Sequence, residues 1–196
     1  MAARRAGCNS WLGNRGYDLW IGLRPICYNA SQPMDHNGTP TMSDVQIETA
    51  PGRRLAVVPH KGPYPGIGAA FATVGDHVTR AGAWPDVTGM VAVYLDNPDV
   101  VAPDDLRSYA GVELAPDDDI PEGCEAYEIA PGRVARLRHV GPYTGLHAAY
   151  GMLYGGWFPT SGQAPADHPS YEVYLNSPTN TAPADLISDI YQPLAD

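Results

Sequence analysis

Hydrophobic and polar side chains alternate along residues 171–176 in the manner of a half-buried β-strand. Val173 and Leu175 fall on one face of this strand, and Glu172 and Tyr174 fall on the other. Aromatic and β-branched residues favour the extended conformation, and prolines bound the segment on both sides. The pattern therefore predicts a strand with a carboxylate on a covered face, where an ionised carboxylate is costly unless it is paired or hydrogen-bonded.

The same strand pattern occurs a second time, earlier in the chain. Residues 90–98 match residues 170–178 position by position, with a constant shift of 80 (172 − 92 = 80) that places Glu172 opposite Ala92 in the alignment. Since a methyl group is accommodated at the equivalent position, the architecture of the strand does not itself require the glutamate. The carboxylate is therefore a candidate for a functional role.

The duplication extends over most of the chain. Each half predicts two short strands joined by a Pro-Gly turn, a Gly-Pro-Tyr turn, a helix with apolar residues every three or four positions, and two further strands. Gly82 in the first half and Gly155-Gly156 in the second are predicted to end the helices. The fold class is α+β, a tandem β-β-α-β-β duplication with pseudo-twofold symmetry. Its predicted parts are a first half at 45–115, an acidic connector at 116–124 and a second half at 125–194.

Residues 1–41 show neither a helical nor a strand period. We interpret them as a disordered leader or an over-extended start, with the domain itself at 42–196. The alternative is an arm that binds a partner through Trp11 and Trp20.

Composition narrows the function classes. The formal net charge of −10 lacks the positive footprint needed to grip phosphate backbones or anionic lipid, so we expect no direct nucleic-acid binding and no membrane partner. No run reaches the ~20 apolar residues of a membrane span. Three widely separated cysteines give neither a disulfide framework nor a zinc site, which favours a reducing cytoplasm. No HExxH motif or phosphate-binding loop is present, so we predict no metal and no cofactor.

The residues alone leave alternatives open for the carboxylate and its neighbours. Glu172 could form a salt bridge with Arg136 or Arg138 instead of lining a pocket. Aromatic residues at helical spacing usually pack in a core, and this is the expectation for Tyr64, Tyr150 and Tyr154. The equivalent histidines His60 and His139 precede the Gly-Pro-Tyr turns, and we expect them to cap those turns.

Four motifs in order resemble the GyrI-like small-molecule binding domain family. This family occurs alone, as in gyrase-inhibitor proteins, and as the effector-binding half of AraC-type and MerR-type multidrug regulators. The motifs lie at 60–64, 138–143, 171–175 and 189–194, and the resemblance covers 45–194. No DNA-binding domain is recognisable before them, so a regulator role would need another chain.

The resemblance implies a concave antiparallel sheet backed by two helices, with an aromatic pocket between the halves. It assigns the buried glutamate to Glu172 and two pocket tyrosines to Tyr143 and Tyr191. Five further aromatic residues are candidates because of the strand face or the position that each occupies, and these are Trp84, Tyr94, Tyr109, Trp157 and Tyr174.

Three functions follow from this resemblance. The first is binding of a small amphipathic, aromatic or cationic molecule, by a stand-alone sensor or sequestering protein. The second is hydrolysis of cyclopropane-bearing genotoxic electrophiles, with Glu172 and Tyr143 as catalytic residues. The third is protein inhibition of DNA gyrase. We also expect a monomer, because the internal duplication already supplies what a dimer of half-domains would.

Overall fold

The computed structural model describes residues 44–195, so the predicted leader at 1–41, with Trp11 and Trp20, lies outside the described residues. The described residues form one eight-stranded antiparallel sheet, with helices packed on one of its faces. The first repeat contains β1 (Val45–Ala50), β2 (Arg53–Lys61), α1 (Gly68–Ala81), β3 (Gly89–Tyr94) and β4 (Arg107–Leu114). The second repeat contains β5 (Glu125–Ile129), β6 (Gly132–Val140), α2 (Leu146–Gly151), α3 (Phe158–Ser161), β7 (Ser170–Tyr174) and β8 (Ile187–Pro193). The predicted α+β fold class is confirmed.

The helix of the first repeat ends where the sequence predicts. Gly82 follows α1 with φ +66°, a left-handed conformation that glycine adopts readily, and its N–H donates to carbonyls of the last turn. At 14 residues α1 is the longest α-helix described, and no helix within 44–195 has the length and apolarity needed to cross a bilayer.

The predicted end of the second helix at Gly155-Gly156 is wrong. A π-helical stretch, Met152–Trp157, carries the chain through both glycines and joins α2 to α3. The chain leaves the helical conformation only at Gly162, whose φ is +72°. Burial of Leu153 and Trp157 within this stretch holds both glycines in the helix, and Pro159 follows in the first turn of α3.

The strand order shows that the two repeats exchange their first strands. The order is β1-β6-β8-β7-β3-β4-β2-β5, so β1 pairs with β6 of the second repeat and β5 pairs with β2 of the first. The repeats meet at the centre of the sheet, where β3 pairs with β7. Each repeat therefore completes the other's half of the sheet.

The two faces of the sheet bury different sets of side chains. On the helix-covered face, Ala92 packs in the core under α1, and Ile190 packs in the core under α2 and α3. The opposite face carries a third core, to which Val173 and Tyr171 belong. Glu172 is the cross-strand partner of both Ala92 and Ile190, and directly opposed residues point to the same face. Glu172 therefore lies beneath the helices, as the alternation along its strand predicts.

Candidate functional site

Two tyrosines from different repeats bind one carboxylate oxygen at the centre of the helix-covered face. Glu172 is only 1% exposed. The Tyr174 hydroxyl donates to Glu172 Oε2 at 2.6 Å, and the Tyr94 hydroxyl donates to the same oxygen at 3.0 Å. Tyr94 and Tyr174 occupy equivalent positions on β3 and β7, so the repeat symmetry directs both phenols to a single acceptor.

Glu172 has no arginine partner among the described residues. Arg138 binds Asp189 through Nη2 at 2.6 Å, and Arg136 approaches the same carboxylate at 3.6 Å while also pairing with Glu48. These groups lie on the opposite face of the sheet, since Arg136 is the cross-strand partner of Tyr191 in the third core. The alternative of a salt bridge between Glu172 and Arg136 or Arg138 is therefore contradicted.

Burial sets the protonation of this cluster. Loss of solvent raises the pKa of Glu172 above its usual value, and hydrogen bonds from Tyr174 and Tyr94 oppose part of that rise. Tyr150 also lowers the pKa of Glu172, although its buried hydroxyl makes no hydrogen bond of ordinary geometry. Burial and the nearby carboxylate raise the pKa values of Tyr94, Tyr150 and Tyr174 well above 10. The phenols therefore stay protonated and can donate.

The tyrosines of the two Gly-Pro-Tyr turns form the sides of the site. Tyr64 packs edge-on against Tyr94 with ring centroids 4.8 Å apart, and Tyr143 packs in the same way against Tyr174 at 5.3 Å. The Tyr64 hydroxyl also donates to the Asp96 carbonyl at 2.6 Å. Tyr143 is 38% exposed, which makes it the solvent-facing ring of this group.

The helices add a ring from the opposite repeat to each side. Phe71 on α1 packs against Tyr174 at 5.5 Å, and Tyr150 on α2 packs against Tyr94 at 6.2 Å. Phe71 and Tyr150 are equivalent in the repeat (71 + 79 = 150, with the one-residue shortening before the second Gly-Pro-Tyr turn). Six rings are thus linked to Glu172, either directly or by packing against Tyr94 and Tyr174, and we call them the aromatic cage: Tyr64, Phe71, Tyr94, Tyr143, Tyr150 and Tyr174.

Comparison with known proteins identifies the family. The sequence profile of the GyrI-like small molecule binding domain matches residues 43–195. The chain belongs to the GyrI-like family. A protein named DNA gyrase inhibitor from Serratia proteamaculans is 31% identical over 158 residues, which cover 76% of this chain and 96% of the relative. The resemblance inferred from the four sequence motifs is confirmed.

Solved structures share the fold of this GyrI-like domain at low sequence identity. The C-terminal domain of EcmrR superposes with a TM-score of 0.65 at 16% identity, over 78% of this chain and 97% of that domain. SAV2435, solved bound to tetraphenylphosphonium, superposes with a TM-score of 0.58 at 10% identity, over 77% of this chain and 93% of that protein. At these identities the similarity shows the architecture alone.

The structure brings three predicted site residues of the GyrI-like domain together with Glu172. These are Tyr94, Tyr174 and Tyr143. Two of the helix tyrosines expected to serve as core packing, Tyr64 and Tyr150, also border the site. Phe71 was not among the predicted residues, and its alignment with Tyr150 is the signal that could have found it.

The structure does not bring Tyr191 and Tyr109 to Glu172. Tyr191 stacks on Tyr171 with centroids 4.8 Å apart and planes at 4°, and Tyr109 packs near Tyr127 at 5.2 Å. All four rings lie with the third core, on the other face of the sheet. Tyr191 is the cross-strand partner of Tyr171, which is adjacent to Glu172 along β7 and therefore points away from it.

The two predicted tryptophans pack in the cores beneath the helices. Trp84 follows α1 and donates from its indole to the Thr79 hydroxyl at 2.9 Å. Trp157 is buried against Phe158 in the core beneath α2 and α3. Trp84 also packs against the core under α1, against which Phe71, Tyr94 and Tyr174 pack as well.

The equivalent histidines cap the Gly-Pro-Tyr turns, as the repeat predicts. His60 Nε2 lies 3.3 Å from the Pro63 carbonyl oxygen, and His139 Nε2 lies 3.0 Å from that of Pro142. Within 44–195 no three His, Cys, Asp or Glu side chains converge in a way that could hold a metal ion.

Proposed function

We propose that this GyrI-like domain binds a small amphipathic, aromatic or cationic molecule at Glu172, as a sensor or sequestering protein. The observation that carries the proposal is the buried Glu172 carboxylate, held by two phenols and enclosed by the aromatic cage, without an arginine or lysine partner among the described residues. A structural carboxylate at this depth would be expected to have a cationic partner within the protein.

The physical chemistry of the site favours a lipophilic cation. Burial without a counter-charge leaves Glu172 with a raised pKa, which means that its ionised form is poorly stabilised. A ligand cation would supply the missing charge, and ring faces attract cations through their quadrupoles. The apolar remainder of such a ligand would be stabilised by contact with the rings of the cage.

The comparisons support the same ligand class. The family is described as a small molecule binding domain, and a structural neighbour was solved with tetraphenylphosphonium, a lipophilic cation. We propose that this chain accepts ligands of that class. Because Glu172 is only 1% exposed, binding requires at least one ring of the cage to move, and the exposed Tyr143 is the ring we propose.

Equilibrium binding of tetraphenylphosphonium to the wild type and two variants tests the proposal. We expect Glu172→Gln to weaken binding by about tenfold or more, which corresponds to ~1.4 kcal/mol. The matched control is Glu113→Gln, which removes a part-buried carboxylate on β4 that pairs with Arg53. Equal affinity of wild type and Glu172→Gln would overturn the proposal, and circular dichroism confirms that each variant is folded.

A hydrolase would use the same carboxylate differently. The raised pKa of Glu172 suits a general acid or base, which needs a pKa near the operating pH. Incubation with a cyclopropane-bearing electrophile, followed by mass spectrometry of the products, separates the two functions. A water adduct formed by the wild type and not by Glu172→Gln would establish hydrolysis, whereas binding without a product supports the sensor or sequestering role.

Inhibition of gyrase is favoured by one observation, the relative from Serratia proteamaculans that is named DNA gyrase inhibitor. This function would depend on a surface contact with the enzyme and would not need Glu172. A supercoiling assay with wild type and Glu172→Gln tests whether inhibition of gyrase depends on Glu172 or on the protein surface. Equal inhibition by both proteins would assign the activity to the surface, and no inhibition by either would remove this candidate.

A further inference from the structure

The two walls of the cage that carry the Gly-Pro-Tyr tyrosines are held in different ways. In the first repeat, Tyr64 is fixed at its far end, because its hydroxyl donates to the Asp96 carbonyl. In the second repeat, the Tyr143 hydroxyl has no hydrogen-bond partner among residues 44–195, and 38% of the side chain is exposed. The position of Tyr143 therefore depends on how its backbone is held.

A buried histidine contacts the backbone next to Tyr143. His139 is 5% exposed, and its Nε2 lies 3.0 Å from the Pro142 carbonyl, directly before Tyr143. Because a carbonyl oxygen can only accept, Nε2 carries the proton in this contact. Nδ1 is also buried, and neither it nor the buried hydroxyl of Ser188, the cross-strand neighbour of His139, has a hydrogen-bond partner among the described residues.

The turn that carries Tyr143 lies directly on the His139 ring. A Cβ built on Gly145, in the same turn, would lie 2.6 Å from His139 Cε1, closer than non-bonded carbon atoms approach. The first repeat is looser, since a Cβ on Gly66 would lie 3.4 Å from the equivalent ring of His60. His60 is also more exposed than His139, and its carbonyl contact is longer at 3.3 Å.

We propose that His139 is a positioning residue that, through its contact with the Tyr143–Gly145 turn, sets Tyr143 against Tyr174 and so controls ligand affinity at Glu172. The second part of this inference, the control of ligand affinity, rests on the proposed binding function. Tyr174 is the closer of the two donors to Glu172. Displacement of Tyr143 therefore removes the exposed ring that packs against the Tyr174–Glu172 hydrogen bond. Neither His139 nor Gly145 needs to touch the ligand.

The matched pair Gly145→Ala and Gly66→Ala tests the inference. We expect the nuclear Overhauser contact between the Tyr143 and Tyr174 rings, 5.3 Å apart in the structure, to be lost in Gly145→Ala and kept in Gly66→Ala. We expect the dissociation constant of tetraphenylphosphonium to rise about tenfold, or ~1.4 kcal/mol, in Gly145→Ala and by less than about twofold in Gly66→Ala. An unchanged contact between the Tyr143 and Tyr174 rings in Gly145→Ala overturns the positioning role, whatever the dissociation constant of tetraphenylphosphonium.

A second pair covers the case in which Gly145→Ala does not fold. His139→Ala removes the ring that holds the turn, and we expect it to weaken both the ring contact and probe binding more than His60→Ala does. Equal effects of the two histidine variants would overturn the inference. Insensitivity of binding to Glu172→Gln would instead overturn the proposed function, and the ring contact would still decide the role of His139.

Discussion

Glu172 and Ala92 are cross-strand partners on the central β3–β7 pair, although they occupy the same position in the two repeats. The pseudo-twofold axis therefore passes between a carboxylate and a methyl group. Around that axis the repeats agree closely, since both Tyr94 and Tyr174 point to the centre of the site. The chemical asymmetry of the site is concentrated in this pair of residues, which leaves one carboxylate where strict symmetry would place two.

A second carboxylate on the axis should be costly. Ala92 is fully buried, and we expect Ala92→Glu to lower the free energy of unfolding by about 3–5 kcal/mol at pH 7, because an unpaired buried charge has that effect. Ala92→Gln has nearly the same size without the charge and serves as the control. Urea denaturation of both variants measures the difference, and an equal loss in both would show that size alone matters here.

The stability of the wild type should depend on pH through Glu172. Burial raises the folded-state pKa above the unfolded value of 4.5, so the folded state holds this proton more tightly. As pH rises from about 4.5 through the folded-state pKa, this group's contribution to the free energy of unfolding falls, and above that pKa it is constant.

Glu172→Gln should lack that component. The difference in stability between wild type and Glu172→Gln is therefore expected to move in favour of the variant as pH rises, and then to level off. Glu125→Gln, on the exposed part of edge strand β5, controls for a general change in charge. A difference that is flat across this pH range would contradict the burial argument.

The two phenols should stabilise the ionised carboxylate unequally. We expect Tyr174→Phe to raise the pKa of Glu172 more than Tyr94→Phe does, because the Tyr174 hydrogen bond is shorter, 2.6 Å against 3.0 Å. A ¹³C NMR titration of the Glu172 carboxyl carbon measures both shifts. Tyr64→Phe removes a hydroxyl bonded to the Asp96 carbonyl and should leave this pKa nearly unchanged.

Cation binding should strengthen with pH. A cationic ligand pairs with the ionised form of Glu172, and the raised pKa means that binding releases a proton below that pKa. Affinity for tetraphenylphosphonium is therefore expected to rise with pH until the pKa is passed and then to level off. Calorimetry in buffers of different ionisation enthalpy detects the released proton, and Glu172→Gln should show neither effect.

The side-chain alternation along a strand and the alignment of the two repeats were enough to predict the centre of the site. The alternation along β7 places Tyr174 with Glu172 on one face, and the alignment of the repeats places Tyr94 at the equivalent position. Those inferences are local, because they need only the side-chain period of a strand and one constant shift. The structure confirms that both tyrosines reach the carboxylate.

The remaining parts of the site depend on strand pairing, which the sequence does not specify. The face of Tyr191 follows from its register with Tyr171, and the contact of Phe71 with Tyr174 follows from the pairing of β3 with β7. The π-helical stretch that carries the chain past Gly155 depends on tertiary packing that overrides the local preference of glycine. Non-local pairing therefore decides which aromatic residues join the cage.

We propose that the Glu172 carboxylate receives the charge of the ligand. We would follow the side-chain carboxyl carbons by ¹³C NMR while titrating tetraphenylphosphonium, with Glu172→Gln to assign the Glu172 signal. We expect a saturable shift of that signal that follows the binding isotherm, while the Glu113 signal on the opposite face stays in place. Saturated binding that leaves the Glu172 signal unmoved would show that the carboxylate does not receive the charge of the ligand.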